Sequence, residues 1–411
     1  MKIVIYGVSR SGKDYLIDKI MNSIEENAFH LQGSIILNEI SENKYDCKFN
    51  NLDDKKKELL RKEFTEIVKI KENQYDVIFV DGHFSFLNDS SFNVVFTDND
   101  KLTYDYFFYL DTPSEMILEF TKNSLGEKQN LLITEKEIDA WKEFEKKELA
   151  EICKNLNKEL VILDEDTGQC VEFIKKYISE EGRYLRCPEY AAKELIDGIS
   201  FKNDTIIVSD CDKTISINDI TYEFCSQLNI EGNILKQIFK NDRYSIYQFY
   251  KVLKLYSKFS EEKIIDAINF VKEKVEISSE IVKDIKQIKN SSVIGLTSGI
   301  LYIWQEIDKK EKIFDLLLGT KFKINNSIII TPKVKCEIVK LLKKEGKTVI
   351  AVGDSIIDIP MINAANRGYI IIHDKLNDGI KKYVTENNLN IKQVNYSSFK
   401  YENIEIAEEI I

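Results

Sequence analysis

Apolar positions along this chain gather in short, largely β-branched or aromatic runs at 2–6, 76–80, 106–110, 160–163, 205–209, 292–296, 348–352 and 368–372. Runs of four or five residues bounded by polar segments predict buried strands. Between them lie lysine- and glutamate-rich stretches with helical spacing, such as 135–156 and 335–344. Strand, helix and strand in alternation predict an α/β protein with parallel sheets covered by helices on both faces. The stretch 180–203 follows a helical segment and precedes a fresh apolar strand, so it separates two such series. The expected organisation is one domain over 1–180, a linker over 181–203, and a second domain over 204–411. Residues 215–288 carry no strong strand signal. Ile246, Phe249, Tyr250, Leu253 and Tyr256 recur there at helical spacing, which predicts a helical insertion after the first strand of the second domain.

Composition narrows the class. At 411 residues the chain is too long for one ordinary core and comfortable for two. With 43% hydrophobic and 31% charged residues, four prolines and sixteen glycines, it reads as folded rather than disordered or fibrous. A net charge of −11 opposes nonspecific attraction to nucleic acid or anionic membrane, so neither is an expected partner. Seven scattered cysteines, an odd number with no close metal-type pair, favour a reducing cytoplasm over a disulfide framework or a zinc site. No apolar stretch approaches the roughly 18 residues of a membrane span, so neither export nor anchoring is expected.

The chemistry sits where strands end. The run 205–209 leads into Asp210-Cys211-Asp212-Lys213-Thr214, which puts two carboxylates at the carboxyl edge of a parallel strand, the edge where open α/β sheets hold their ligands. The run 292–296 ends in Thr297-Ser298-Gly299, offering a hydroxyl and a flexible backbone. Lys335 is read as opening a helix after Thr331-Pro332. The run 348–352 leads into Gly353-Asp354-Ser355-Ile356-Ile357-Asp358, with two more carboxylates. Singly, each is an ordinary turn or cap residue; the order, each after a strand, joins them.

This set, DxDxT, a strand-ending Thr, a helix lysine and GDxxxD, resembles the four motifs of haloacid dehalogenase-type phosphatases over roughly 200–380. The helical insertion and the run GDSIIDIPMINAANRGYIII are most similar to the phosphoserine phosphatase-like branch. The resemblance implies a Rossmannoid fold with a helical cap at about 215–288 and a magnesium-dependent phosphomonoesterase acting on a small phosphorylated metabolite. Asp210 is then the nucleophile that forms an aspartyl phosphate, and Asp212 the general acid and base. Thr297, Ser298 and Gly299 hold phosphoryl oxygens, and Lys335 neutralises charge. Asp210, the Asp212 carbonyl and Asp354 bind Mg2+, supported by Asp358. Asp219, nine positions after the nucleophile, occupies the place of an acidic residue that binds a substrate amine. Lys254 aligns loosely with an arginine that binds the substrate carboxylate. Both read equally well as exposed helix charges, and lysine lacks arginine's bidentate fork. Another small phosphomonoester is therefore as good a candidate as phosphoserine.

At the other end, the strand KIVIY runs into Gly7-Val8-Ser9-Arg10-Ser11-Gly12-Lys13-Asp14 and an apolar-periodic helix. Strand, GxxxxGK loop and helix form a phosphate cradle of backbone amides and one lysine. The run RSGKD is similar to the loop of deoxynucleoside monophosphate and phosphomevalonate kinases, with Asp14 where a hydroxyl usually stands. Asp81 closes VIFVD like the acidic residue that orients magnesium-bound water. The resemblance implies a P-loop kinase-like domain binding ATP or another NTP through Gly7, Ser11, Gly12, Lys13, Asp14 and Asp81. No arginine lies between 111 and 158, where kinase lids usually supply them; Lys122, Lys128 and Arg10 are the substitutes. Three readings follow. The phosphatase is fused to a small-molecule or nucleotide kinase, it is an end-healing polynucleotide kinase-phosphatase, or a nucleotide sensor regulates it.

Overall fold

The computed structural model describes residues 1–88, 91–125, 133–240, 244–321, 327–372, 378–386, 389 and 392–395. The chain divides into two units, Met1–Glu180 and Glu181–Ile411.

The first unit is built on β1 (Lys2–Tyr6), β2 (Ala28–Leu31), β3 (Val77–Asp81), the hairpin strands β4 (Ser85–Asn88) and β5 (Ser91–Val94), β6 (Tyr106–Leu110) and β7 (Leu160–Leu163). Five of these form one parallel sheet in the order β2-β3-β1-β6-β7. All five side chains of β1 and of β3 are buried, as expected of central parallel strands with helices on both faces. Each Val or Ile so placed contributes about 1.5–3 kcal/mol. Helix Lys13–Met21 buries Leu16, Ile17 and Ile20, and Glu135–Asn155 buries Ile138, Trp141 and Leu149. β2 escaped the reading of apolar runs because it is a four-residue edge strand with only Leu31 fully buried.

The second unit holds β8 (Thr205–Ser209), β9 (Ser291–Ile300), β10 (Leu316–Thr320), β11 (Thr348–Gly353), β12 (Arg367–Ile372) and β13 (Lys392–Asn395). They form a parallel sheet in the order β10-β9-β8-β11-β12-β13. The strand preceding Asp210 is thus flanked by the strand carrying Thr297 and the strand preceding Asp354. Between β8 and β9 the chain forms helices Ile220–Gln227, Ile234–Ile238, Ile246–Tyr256, Glu261–Lys272 and Ser279–Gln287, with a lone bridge from Ser216 to Ile277 at the base. The stretch 181–203, expected as a linker, is itself helical at Arg183–Arg186 and Pro188–Ile196. The second helix starts on a proline, buries Ala191, Ala192 and Ile196, and packs on helix Pro332–Lys344. Its apolar face gives it a place in the second unit that charge and spacing alone had hidden.

No helix among the described residues is long and apolar enough to cross a membrane.

Candidate functional site

In the second unit, β8, β9 and β11 bring their carboxyl ends together. Asp210 follows β8, and its backbone N–H donates to the Val352 carbonyl of β11 at 2.8 Å, fixing the start of the turn. Lys213 then adopts a left-handed φ of 56° and donates its N–H to Ser216 Oγ. This tight turn folds Asp212 and Thr214 back toward the strand ends.

Lys335 is the centre of charge. Rather than opening its helix, it stands one turn in, because Thr331 caps the helix and Pro332 begins it. That extra turn, together with full burial, sends the ammonium inward. Nζ donates to Asp210 Oδ1 at 2.6 Å and to Asp358 Oδ1 at 2.7 Å. Against the burial that would lower it, the charges of Asp210 and Asp358 hold Lys335 above the ordinary lysine range. Asp358 is fully buried, and Ser355 donates both its N–H and its hydroxyl to Oδ2. The backbone makes room for it at Gly353, where any Cβ would lie 2.5 Å from that of Asp358.

Asp210, Asp354 and Asp358 offer carboxylate oxygens all within 4.8 Å of one another. Burial first, and then the charge of Asp358, pushes Asp210 upward. Burial followed by the charges of Asp210 and Asp358 does the same to Asp354. Asp210 and Asp358 therefore share the Lys335 ammonium, and half-buried Asp354 beside them feels the charges of Lys213 and Lys335. This donor set fits a hard divalent cation, which takes oxygen ligands and would relieve the excess charge.

Thr297, fully buried, donates Oγ1 to Asp212 Oδ2 at 3.1 Å and accepts from the Gly299 N–H at 2.9 Å. The same hydroxyl therefore positions the candidate general acid and the Ser298-Gly299 loop. Burial, then the charge of Asp219, lifts Asp212 to about 6, which raises the protonated fraction in mildly acidic to neutral solution above that of an ordinary carboxylate. Asp212 Oδ1 and Ser298 Oγ are buried without hydrogen-bond partners, and both residues line a cavity of about 250 Å³. Buried polar atoms are normally paired, so Ser298 Oγ marks where a ligand's polar group belongs, while the Asp212 carboxylate also has the Trp304 indole N–H beside it.

The two expected substrate residues fare differently. Asp219 lines the cavity, yet its Oδ1 caps helix Ile220–Gln227 by accepting from the Tyr222 N–H, and its Oδ2 lies 2.9 Å from Lys213 Nζ. Lys254 is not among the cavity's lining residues. On helix Ile246–Tyr256 the lining positions are Phe249, Val252, Leu253 and Tyr256. Those stand three, four and seven apart on one face, and the position after Leu253 is turned about 100° away from it. Lys213, unassigned from the sequence, sits instead at the Asp219 carboxylate; a lysine in a turn carries no spacing signal.

In the first unit, the loop after β1 winds through left-handed conformations at Arg10 (φ 63°) and Gly12 (φ 89°), the latter suited to glycine. Lys13, buried, donates Nζ to the carbonyls of Gly7 at 2.7 Å and Val8 at 3.1 Å, with Ser11 Oγ at 3.5 Å. Burial lowers it to about 8, against the charges of Glu145, Asp81 and Asp14. Asp81 accepts from the Gly33 N–H at 3.0 Å. His30, which a lone histidine in the short edge strand AFHL gives no way to foresee, completes a cluster with Asp14 and Asp81. Its Nε2 lies 3.4 Å from Asp81 and 3.9 Å from Asp14, buried and without a hydrogen-bond partner.

Of the expected stand-ins for lid arginines, Arg10 and Lys122 are exposed and Lys128 lies outside the described residues. The cations linked to the loop are others. Thr112 Oγ1 donates to the Ser11 carbonyl, Lys142 donates to the Thr112 carbonyl, and Lys142 and Lys146 lie 2.8 and 2.7 Å from Asp111. Burial opposes ionisation of Asp111, but these two ammonium groups, Lys146 first, hold it below the usual carboxylate range. Both are thereby committed. A groove of about 1550 Å³ opens beside Ser9, lined by Arg61, Lys57 and Lys101 among acidic and aromatic neighbours.

No protein-family model and no curated protein sequence matches the chain. Among solved structures, parts of it are similar to an apo phosphoserine phosphatase, at 21% identity over 40% of this chain and 85% of the other, with a TM-score of 0.33. A substrate-bound phosphoserine phosphatase complex is 21% identical over 51% of this chain and 99% of its own, with a TM-score of 0.37. A HAD family hydrolase from Salmonella enterica serovar Typhi is 17% identical over 48% and 69%, with a TM-score of 0.38.

Proposed function

We propose that the second unit is a phosphomonoesterase that works through an aspartyl phosphate on Asp210. The observation that carries this reading is Lys335, a fully buried ammonium bonded at once to Asp210 and Asp358 beside a third carboxylate, Asp354. Such a concentration of charge is expensive to bury unless it serves chemistry. The Asp210 carboxylate attacks phosphorus while the bond to the ester oxygen breaks, and the departing oxygen takes the proton held on Asp212. Water then attacks phosphorus, gives a proton to Asp212, and returns Asp210 as a carboxylate. Thr297 holds Asp212 in place through both steps and also takes the Gly299 N–H, which leaves the Ser298 hydroxyl to meet a phosphoryl oxygen. Asp210, Asp354 and Asp358, with the Asp212 carbonyl, would hold Mg2+, which supplies charge neutralisation at the carboxylates and at the phosphoryl oxygens. The helices between β8 and β9 cover the cavity, which favours a small leaving group over a nucleic-acid end.

We further infer that the first unit binds the phosphates of ATP or another NTP in the loop from Gly7 to Lys13, with Asp14, Asp81 and His30 available to a divalent cation. Lys142 and Lys146 are held by Asp111, so binding rather than phosphoryl transfer is the favoured reading.

Two measurements test these assignments. Purified protein should release phosphate from acetyl phosphate in millimolar magnesium, with release abolished by EDTA; an EDTA-resistant rate would overturn the cation's place. Equilibrium dialysis with ATP should show binding weakened by about tenfold or more in Lys13→Ala, since a charge-assisted phosphate contact is worth roughly 1.5–3 kcal/mol. Equal affinity in the variant would remove the loop from the nucleotide site.

A further inference from the structure

Resting on the phosphatase reading, the cavity above Asp210 also carries information about the leaving group. Its charged groups are Asp210, Asp212 and Asp354 around the phosphoryl position and Asp219 with Lys213, joined by hydroxyls at Ser298, Ser355, Thr221, Thr320 and Tyr244. Away from the charged groups most of the wall is apolar. Leu235, Phe239, Phe249, Val252, Leu253 and Tyr256 come from the helices between β8 and β9, and Ile300 and Ile329 from the opposite side. Phe239 anchors an aromatic group, with ring centroids 5.3 Å from Tyr244 and 5.1 Å from Phe249.

Such a wall discriminates against charge. A substrate with a free ammonium and carboxylate would have to compete with Lys213 and Asp219, which pair with each other, and an ion left unpaired against the apolar wall is unfavourable by far more than an apolar contact returns. Among the described lining residues the one cation is Lys213, and it lies 2.9 Å from Asp219. The charged groups that could meet an amino acid therefore face each other, as a half-exposed pair, rather than the apolar wall.

We propose that the substrate is the phosphate monoester of an uncharged alcohol whose body is one aromatic ring or a branched aliphatic chain of similar size. The volume agrees. A cavity of about 150 Å³ lined by Leu, Ile and Phe accepts a benzene ring, so 250 Å³ accommodates a phosphoryl group and one ring-sized body. In this arrangement the phosphoryl group sits at the charged groups and the carbon skeleton lies against Phe239, Phe249 and Val252.

The test compares esters whose leaving groups are all alkoxides, so that intrinsic reactivity is similar. Full-length protein in magnesium would be assayed with 2-phenylethyl phosphate, 3-methylbutyl phosphate, phosphoserine and phosphoethanolamine, and separately with acetyl phosphate, an acyl phosphate that loses acetate and lacks a sizeable body, every rate being taken above release without protein. The expected result is a kcat/KM for the two apolar esters about 10²-fold above phosphoserine, the scale on which a hydrophobic pocket discriminates. In Phe239→Ala, checked for an unchanged far-UV spectrum, the ratio of kcat/KM for 2-phenylethyl phosphate to that for acetyl phosphate should fall about tenfold. Faster release from phosphoserine or phosphoethanolamine, with acetyl phosphate also hydrolysed, would overturn the leaving-group assignment and leave the phosphatase standing. Release from none of the five would overturn the phosphatase itself.

Discussion

Asp210→Asn is expected to lower phosphate release on the order of 10⁴-fold or more, the scale on which removal of a covalent nucleophile acts. The amide keeps the shape of the carboxylate and lacks its nucleophilic oxygen. Its effect on stability should be small by comparison, because two terms oppose. The substitution ends the repulsion between Asp210 and its neighbours Asp354 and Asp358, and it weakens the short hydrogen bond from Lys335, which keeps Asp358 as a partner. Steady-state phosphate release and a thermal melt on the same preparation check both halves. A residual rate within tenfold of the parent, in a protein that melts normally, would refute Asp210 as the attacking group.

Lys335→Ala is expected to act on the fold as well. Removing an ammonium with no solvent exposure leaves Asp210 and Asp358 facing each other without compensation, and breaking a buried pair in this way typically destabilises by about 3–5 kcal/mol. For a unit of this size that corresponds to a fall in Tm of roughly 10 °C. Magnesium should recover part of the loss, since a cation shared by the carboxylates would replace some of the missing charge. Calorimetry with and without magnesium reads this directly. A Tm within two degrees of the parent would show that the carboxylates are neutral without Lys335, and the picture of a charged cluster would have to be given up.

The sequence spoke most clearly where apolar runs and strand-ending polar residues coincide. Every central strand of both sheets appears as a continuous run, because burial on two faces leaves no polar position to interrupt it. The edge strands β2 and β13, AFHL and KQVN, carry no such run, and LLLGT of β10 has helical as well as strand character. Asp210, Asp212 and Asp354 could be grouped because each follows a strand, and parallel strands deliver their ends to one edge; Thr297, expected to end its strand, lies inside β9, which continues to Ile300. Partnerships were less accessible. Nothing in the spacing says that Lys213 takes Asp219, that Lys142 and Lys146 take Asp111, or that His30 faces Asp14 and Asp81. These pairs depend on how helices and loops rotate about the sheet, where a shift of one residue turns a side chain by 100°. Lys254 shows the same limit from the other side, since only the packed face of its helix tells which neighbour enters the cavity.

The strand order of the second unit has a consequence in time. Asp210 and the lysine that balances it are 125 residues apart in the chain, and at synthesis rates of 5–20 residues per second that interval lasts about 6 to 25 s. During it the DCD triplet is on the chain without its counter-charge, and its carboxylates keep the company of water. Strand β8 has then gained neither β11 nor the helix that brings Lys335, and pairing with strands so distant carries a large loop-closure penalty. On the proposed mechanism, activity at Asp210 therefore arrives only after the helix bearing Lys335 and strand β11 have been made, and a chain ending before them has the carboxylate without its partners.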